Sequence, residues 1–144
     1  MTGLETLRRL ARGYARFALG AAFLSAVAGR FGLWSGEPVR EAFGRFIART
    51  AELNRWAPDS VVPALAWSAT IVETTLAVAL ILGVGTRWAA FGTAALLAWF
   101  GSAMLLYTGV KPPLDYSVFS ASACALLLAL EVSPPISVPA ADAP

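Results

Sequence analysis

Long apolar segments separated by short polar ones run through the whole sequence. A helix of roughly 20 apolar residues crosses the hydrocarbon core of a bilayer, and each segment is close to that length. The pattern predicts four transmembrane helices, with approximate ranges 14–33, 62–82, 88–107 and 114–130. Polar and apolar residues do not alternate within these segments, which disfavours a β-barrel. The predicted fold class is therefore all-α, an integral membrane four-helix bundle.

The first connection is long and has an amphipathic pattern of its own. Between residues 39 and 53, apolar and charged side chains recur at helical spacing. The apolar positions are Val39, Phe43, Phe46, Ile47 and Leu53, and the charged ones are Arg40, Glu41, Arg45, Arg49 and Glu52. The pattern predicts an amphipathic helix that lies on the bilayer surface or caps the bundle. An ordinary soluble loop helix fits it equally well.

The remaining connections, 83–87 and 109–113, are short and contain glycine or proline, so each should join antiparallel neighbours. Residues 1–132 are predicted to form one domain that contains the four spans. Residues 133–144 are rich in proline and are predicted to be a disordered tail.

The N-terminal segment allows an alternative interpretation. Arginines precede an apolar run that ends in the small residues 26–29, which is the pattern of a cleavable signal peptide. Against cleavage, the apolar character continues through Phe31, Leu33 and Trp34. Removal of the segment would also leave only three predicted spans.

Arginines near the predicted spans indicate the orientation. The N-terminal segment carries Arg8, Arg9, Arg12 and Arg16, and Arg87 falls on the same side of the predicted bundle. The long first connection also carries arginines, so the asymmetry between the two sides is small. Because positive residues favour the cytoplasmic side, we expect both termini in the cytoplasm.

Composition narrows the chemistry. Hydrophobic residues make up 58% of the chain and charged residues 14%, whereas soluble domains carry roughly a quarter charged residues. The chain has no histidine and one cysteine, so neither haem nor a metal site is expected. Any redox cofactor would be diffusible, such as a quinone, or would belong to a partner. The net charge of +2 comes with arginines at membrane flanks and gives no reason to expect nucleic acid.

Glu73 lies near the middle of the second predicted span, among threonines that include Thr70. An ionised carboxylate is costly at that depth, so Glu73 should face the bundle interior, find a partner or be protonated. The candidate cations are Arg30, Lys111, Arg16 and Arg87. A long side chain reaching inward from Arg30 is expected to close most of the distance to Glu73, either directly or through a bridging water.

A candidate polar site follows from the predicted topology. The residues expected at the outer end of the bundle with Glu73 are Arg30, Lys111, Asp115, Tyr116 and Trp67. Two interpretations are open. In the first, the charged groups only set helix register. In the second, Glu73 is a tentative proton carrier and the other residues bind a quinone or a polar headgroup.

Small residues repeat every four positions along three predicted helices. The stripes are Ala21, Ser25 and Gly29; Ala94, Ala98 and Ser102; and Ser117, Ala121, Ala125 and Ala129. Such stripes allow membrane helices to approach closely. They are expected to pack within the bundle, and a homo-oligomer interface is the alternative.

Several stretches resemble the DoxX family of small bacterial membrane proteins. They are RFALGAAFLSAVAGRFGLW, LNRWAP, LAWSATIVETTLAVALILGVGTRWAA and GVKPPLDYSVFSASACALLLA. The resemblance covers residues 14–130 and implies four transmembrane helices in a bacterial inner membrane. It also implies an association with quinone-linked oxidoreductases, because related subunits belong to thiosulfate:quinone oxidoreductase. It assigns no catalytic role to any single residue.

The leading hypothesis is a quinone-interacting membrane subunit that works with a redox partner subunit. Whether the chain itself catalyses a reaction is left open. The alternative is a membrane scaffold or a protein that binds a small ligand or lipid without catalysis. A proton-coupled transporter would use the same glutamate, but the sequence has no evident repeat or broken helix to support it.

Overall fold

The computed structural model describes residues 3–131. Every regular element in this range is a helix and there is no strand, so the predicted all-α class is confirmed. The helices are α1 (Gly3–Arg30), α2 (Val39–Leu53), α3 (Val62–Leu82), α4 (Thr86–Thr108), α5 (Lys111–Asp115) and α6 (Val118–Glu131). The tail predicted at 133–144 lies outside the described residues.

Two helices within the described range, α3 and α4, are long and apolar enough to cross a bilayer. They contain 21 and 23 residues, and they coincide with the second and third predicted spans. Helix α6 is apolar but has only 14 residues. These helices favour association of the chain with a membrane.

The ends of the first predicted span differ from those of α1. The helix begins well before residue 14, and it ends at Arg30 because Gly32 adopts a left-handed conformation with φ of 74°. A Cβ atom on Gly32 would lie 2.3 Å from the carbonyl oxygen of Glu37, so the turn leaves no room for a side chain. The chain therefore reverses direction three residues before the predicted end of the span.

The fourth predicted span, 114–130, is divided between two helices. Pro112 and Pro113 lie within the short helix α5, where a proline in the first turn is tolerated because that turn needs no N–H donor. Ser117 then has φ of 54°, an uncommon conformation for a residue other than glycine, and it separates α5 from α6. The main helix begins only at Val118.

Helix α1 packs mainly on α3, and α4 packs mainly on α6. The small residues predicted to pack in α4 and α6 include Ala94, Ala125 and Ala129, which are buried. Ser122 adds a hydrogen bond from its hydroxyl to the carbonyl oxygen of Ala94, over 2.8 Å. The predicted stripes of α4 and α6 thus meet within one chain.

The buried face of α1 is not the predicted stripe. It contains Leu19, Gly20 and Phe23, while Ser25 is exposed. A Cβ atom on Gly20 would lie 2.6 Å from Cγ1 of Ile81, which shows how closely α1 approaches α3. The stripe prediction failed here because several small residues in α1 follow a four-residue repeat, and only the packing selects among them.

Helix α2 confirms the helix predicted in the long connection. Its apolar side turns inward, and Phe43 is buried against the rings of Phe31 and Trp67 at centroid distances of 5.8 and 4.5 Å. Its arginines remain exposed. The helix contacts α1, α3 and α4 and therefore caps one end of the bundle.

Arg16 fastens α1 to the opposite end of α3. Its Nε atom donates to the carbonyl oxygen of Leu80 over 2.8 Å, and a terminal nitrogen donates to that of Ile81 over 3.1 Å. The last carbonyls of a helix have no partner within the helix and carry partial negative charge, so a guanidinium stabilises them. Arg16, one of the cations considered for Glu73, therefore caps α3 instead.

Candidate functional site

Glu73 and Arg30 form a buried ion pair between α3 and α1. Glu73 is 1% exposed, and both of its carboxylate oxygens accept hydrogen bonds from one terminal nitrogen of Arg30, over 2.7 and 2.6 Å. Arg30 reaches this position because it ends α1 beside the middle of the antiparallel helix α3. The expected pairing is therefore found as a direct contact, without an intervening group.

Two further contacts hold the guanidinium of Arg30. Its second terminal nitrogen donates to the hydroxyl of Thr70 over 3.0 Å, and that hydroxyl donates to the carbonyl oxygen of Ala66. The guanidinium also lies over the ring of Phe46, 3.9 Å from its centroid, in the geometry of a cation–π contact. Helices α1, α2 and α3 thus meet at one cation.

The carboxylate of Glu73 accepts hydrogen bonds from Arg30 alone among the described residues. The threonine next to it, Thr74, donates to the carbonyl oxygen of Thr70, and Thr75 donates to that of Ile71. Both hydroxyls therefore donate hydrogen bonds to backbone carbonyls of α3 and not to the carboxylate. Each carboxylate oxygen has a lone pair available for another donor.

The larger of two clefts beside this pair has a volume of about 360 Å³, and we call it the α2 cleft. Residues of α2, α3 and α4 line it together with Arg30. Its polar lining residues are Arg30, Arg49, Thr50, Asn54 and Ser68, and its aromatic ones are Phe46, Trp99 and Phe100. The rest of its wall is aliphatic. A few polar groups in an apolar cleft of this size are typical of a small-molecule site.

The second cleft, of about 230 Å³, lies between α1, α4 and α6, and we call it the α6 cleft. Glu73, Arg30 and Tyr116 supply all of its polar side-chain atoms. The other lining residues are Leu19, Ala22, Phe23, Ala26, Leu97, Phe100, Val118 and Ala121. The carboxylate of Glu73 therefore borders an apolar cleft on the side away from α2.

The remaining predicted site residues do not join the pair. Lys111 and Asp115 bind each other within α5 and are both exposed, and neither lines either cleft. Trp67 belongs to the aromatic cluster beneath α2 because it lies six residues before Glu73, about 120° away around the helix. Tyr116 is the one that shares a cleft with Glu73.

Several residues of the site were not predicted. Phe46 was assigned to the apolar side of α2, and its contact with Arg30 depends on where that helix docks. Arg49 and Asn54 reach the α2 cleft for the same reason. The position of Trp99 could have indicated a role in the site, because it lies inside a predicted span and away from the headgroup level that indole rings prefer. It lines the α2 cleft and is 60% exposed.

No known protein family, characterised protein or solved structure matches the chain.

Proposed function

We propose that the chain is a DoxX-like, quinone-interacting subunit of a bacterial inner-membrane oxidoreductase, and that the α2 cleft is its quinone site. One observation carries the proposal: an apolar cleft of about 360 Å³ that reaches the guanidinium of a buried ion pair. Quinones combine an apolar ring and chain with two carbonyl acceptors. An apolar wall with a few hydrogen-bond donors matches that chemistry.

The proposal includes a membrane arrangement with four spans. Helices α3 and α4 cross completely, the second half of α1 crosses beside α3, and α5 with α6 forms the last, shorter crossing. A short helix is accommodated by local thinning of the bilayer. Arg16 contacts the last turn of α3, and Arg87 lies in the first turn of α4, so both mark the same end. This end is proposed to face the cytoplasm, with both termini.

The lining of the α2 cleft suggests how a quinone would be held. Trp99 and Phe100 offer aromatic faces to the ring, and Asn54 and Ser68 offer hydrogen-bond donors to its carbonyl oxygens. Val72 and Trp99 are exposed at the edge of the cleft, where an isoprenoid chain would pass into the lipid. Such an entrance admits a ligand that is dissolved in the bilayer.

Reduction of a quinone to a quinol takes up two electrons and two protons. The electrons are proposed to come from an electron-donating partner subunit. Glu73 is the proposed proton carrier because its buried carboxylate binds Arg30, and Arg30 lines the cleft. Arg30 holds the carboxylate in place.

A scaffold is the second candidate function, and the contacts of Arg30 support it. The guanidinium joins α1 to α3 and packs on α2, which is what a purely structural connection requires. In that case Glu73→Gln lowers stability, and no quinone effect exists. The two candidates therefore differ in whether a ligand stabilises the protein.

The deciding experiment measures the melting temperature of detergent-purified protein with and without a short-chain quinone. A ligand that binds only the folded state raises the melting temperature. We expect such a rise in the wild type and its loss in Ala103→Leu, which places a larger side chain in the α2 cleft. The matched control is Ala95→Leu, an exposed position of the same helix that lines neither cleft.

If a quinone raises the melting temperature of both variants equally, it binds outside the α2 cleft. If it does not raise the melting temperature of the wild type, the proposed function is wrong. In Glu73→Gln we expect a protein that still folds, with lower stability because the guanidinium loses its charged partner, and in which a partner-dependent quinone reduction is lost. A variant that instead melts far lower, with no quinone effect in the wild type, would support the scaffold.

A further inference from the structure

The two clefts reach the same ion pair from different sides. Arg30 and Phe100 line both clefts, whereas Glu73 lines only the α6 cleft. On the α2 side the guanidinium is covered by the ring of Phe46. A molecule in the α2 cleft therefore approaches the ion pair on the side of Arg30 and Phe46, and the carboxylate is approached from the other side of the bundle.

The rim of the α6 cleft is formed by exposed residues. Ala22 and Ala26 lie one turn apart on α1 and are exposed, and Tyr116 in the turn before α6 is 73% exposed. The two alanines carry the smallest side chain other than glycine, so they leave a gap between α1 and α6. Glu73 lies at the base of that gap and is itself almost completely buried.

The charged and polar surroundings of Glu73 are simple within the described part of the chain. Helix α1 contributes Arg30, and the turn before α6 contributes Tyr116. The residues of α4 and α6 that line the cleft are all apolar. A proton entering here meets no other carboxylate, so Glu73 is its first acceptor.

We propose that protons reach Glu73 through the α6 cleft, past Tyr116, while the ligand occupies the α2 cleft. This rests on the proposed function and adds the route. A proton carried by water at the rim moves to a carboxylate oxygen of Glu73, and the water is left with one proton fewer. As two electrons from the partner reduce the ring, Glu73 passes its proton past Arg30 to one ring oxygen, is reloaded through the α6 cleft, and passes a second proton to the other ring oxygen, after which it recovers its charge.

A hydrophobic carbodiimide tests access to Glu73 directly. The reagent reacts with a protonated carboxyl group: the acid proton moves to one of its nitrogens while a carboxyl oxygen bonds to its central carbon. Every atom stays in the adduct, so the mass of the Glu73 peptide reports the reaction without any turnover. The experiment uses the full chain in detergent, with dicyclohexylcarbodiimide as the probe.

Variants that narrow one cleft at a time show from which side of the ion pair the reagent reaches Glu73. Ala26→Leu narrows the rim of the α6 cleft and is expected to lower labelling of Glu73 severalfold. Ala22→Leu is a second variant with the same expectation, and both positions are exposed, so the larger side chain has room. Ala18→Leu is the matched control, because Ala18 lies one turn before Ala22 on α1, is exposed and does not line the cleft. It should label like the wild type.

Ala103→Leu narrows the α2 cleft and should leave labelling unchanged. Labelling that falls in Ala103→Leu but not in Ala26→Leu or Ala22→Leu would overturn the route, and so would a wild type that is not labelled at all. Quinone stabilisation is measured on the same samples. If it is absent while labelling follows the α6 cleft, the proposed function fails and the access route stands.

Discussion

One terminal nitrogen of Arg30 donates hydrogen bonds to both carboxylate oxygens of Glu73, and the two side chains are 10% and 2% exposed. Both charges have therefore lost most of their hydration. Burying an ion pair costs free energy that the attraction between the charges repays only while both are present. The contribution of each residue must be measured alone and together with its partner.

The ion pair predicts a strongly non-additive mutant cycle. Glu73→Leu leaves a buried guanidinium without its carboxylate and should lower the free energy of unfolding by about 3–5 kcal/mol. Arg30→Met should cost a similar amount. The double variant removes both charges and should be more stable than either single variant. Unfolding in detergent measures all four proteins, and costs that simply add would show that the two residues are not coupled.

The capping contact of Arg16 predicts a loss of stability when it is removed. Arg16→Ala eliminates two hydrogen bonds from a charged donor and should cost about 1.5–3 kcal/mol. Arg16→Lys keeps the charge but lacks the forked donor geometry, so an intermediate value is expected. The melting temperature checks both variants.

Arg12→Ala is the control for Arg16, because Arg12 lies one turn earlier on α1 and has no hydrogen bond or ion pair within residues 3–131. If Arg12→Ala and Arg16→Ala lower the melting temperature equally, the effect comes from charge in general and not from capping.

The close approach of α1 to α3 predicts opposite effects of one substitution at two positions. In Gly20→Ala the new Cβ atom would lie 3.0 Å from the carbonyl oxygen of Ala77 as well as against Ile81, so the helices must separate. A cost of about 1–3 kcal/mol is expected. A Cβ atom on Gly13 would contact no other part of the protein within 4 Å, so Gly13→Ala should stabilise α1 by about 0.5–1 kcal/mol. Stabilisation by both variants would contradict the observed packing.

The turn before α2 predicts a small dependence of stability on acid. The hydrogen bond from Arg45 lowers the pKa of Glu37 below its ordinary value of 4.5, and the Ser35 hydroxyl lowers that pKa further. Since the pKa is lower in the folded state, the pair stabilises the protein above pH 4.5. The stabilisation is lost as the pH falls through the lower, folded-state pKa.

Glu37→Gln tests this pair, and the difference in melting temperature from the wild type is measured across that range. The difference should be present at neutral pH, shrink with added salt because the pair is exposed, and vanish in acid. A difference that persists in acid would assign the effect to the shape of the side chain instead of its charge.

The contact between Arg30 and Glu73 was predictable because a carboxyl in an apolar helix needs a partner and Arg30 falls at the right end of its neighbour. The choice of Arg16 as a helix cap was not predictable in the same way. It depends on the rotation of α1 about its axis, which sequence spacing leaves open when arginines occur on several faces. The position of Arg16 follows from the fit of Gly20 against Ile81.

A polar site at the outer end of the bundle was predicted, but the residues that line the two clefts were beyond prediction because the clefts are gaps between helices. The amphipathic pattern of α2 predicts a helix with one buried side but contains no information about which neighbours it covers. The left-handed conformation of Ser117 likewise has no sequence signature, since glycine is the residue that usually marks it. The apolar run from 114 to 130 therefore looked continuous.

The two arginines of α1 also restrict how the helix can move. Arg16 and Arg30 are separated by 14 positions, about 21 Å of helix, while their targets on α3 are separated by only about 11 Å, so both side chains reach towards the middle. A piston-like shift of α1 in either direction would stretch one arginine and compress the other. Any mechanical signal through this bundle must therefore tilt or pivot α1, because sliding it would break a contact at one end.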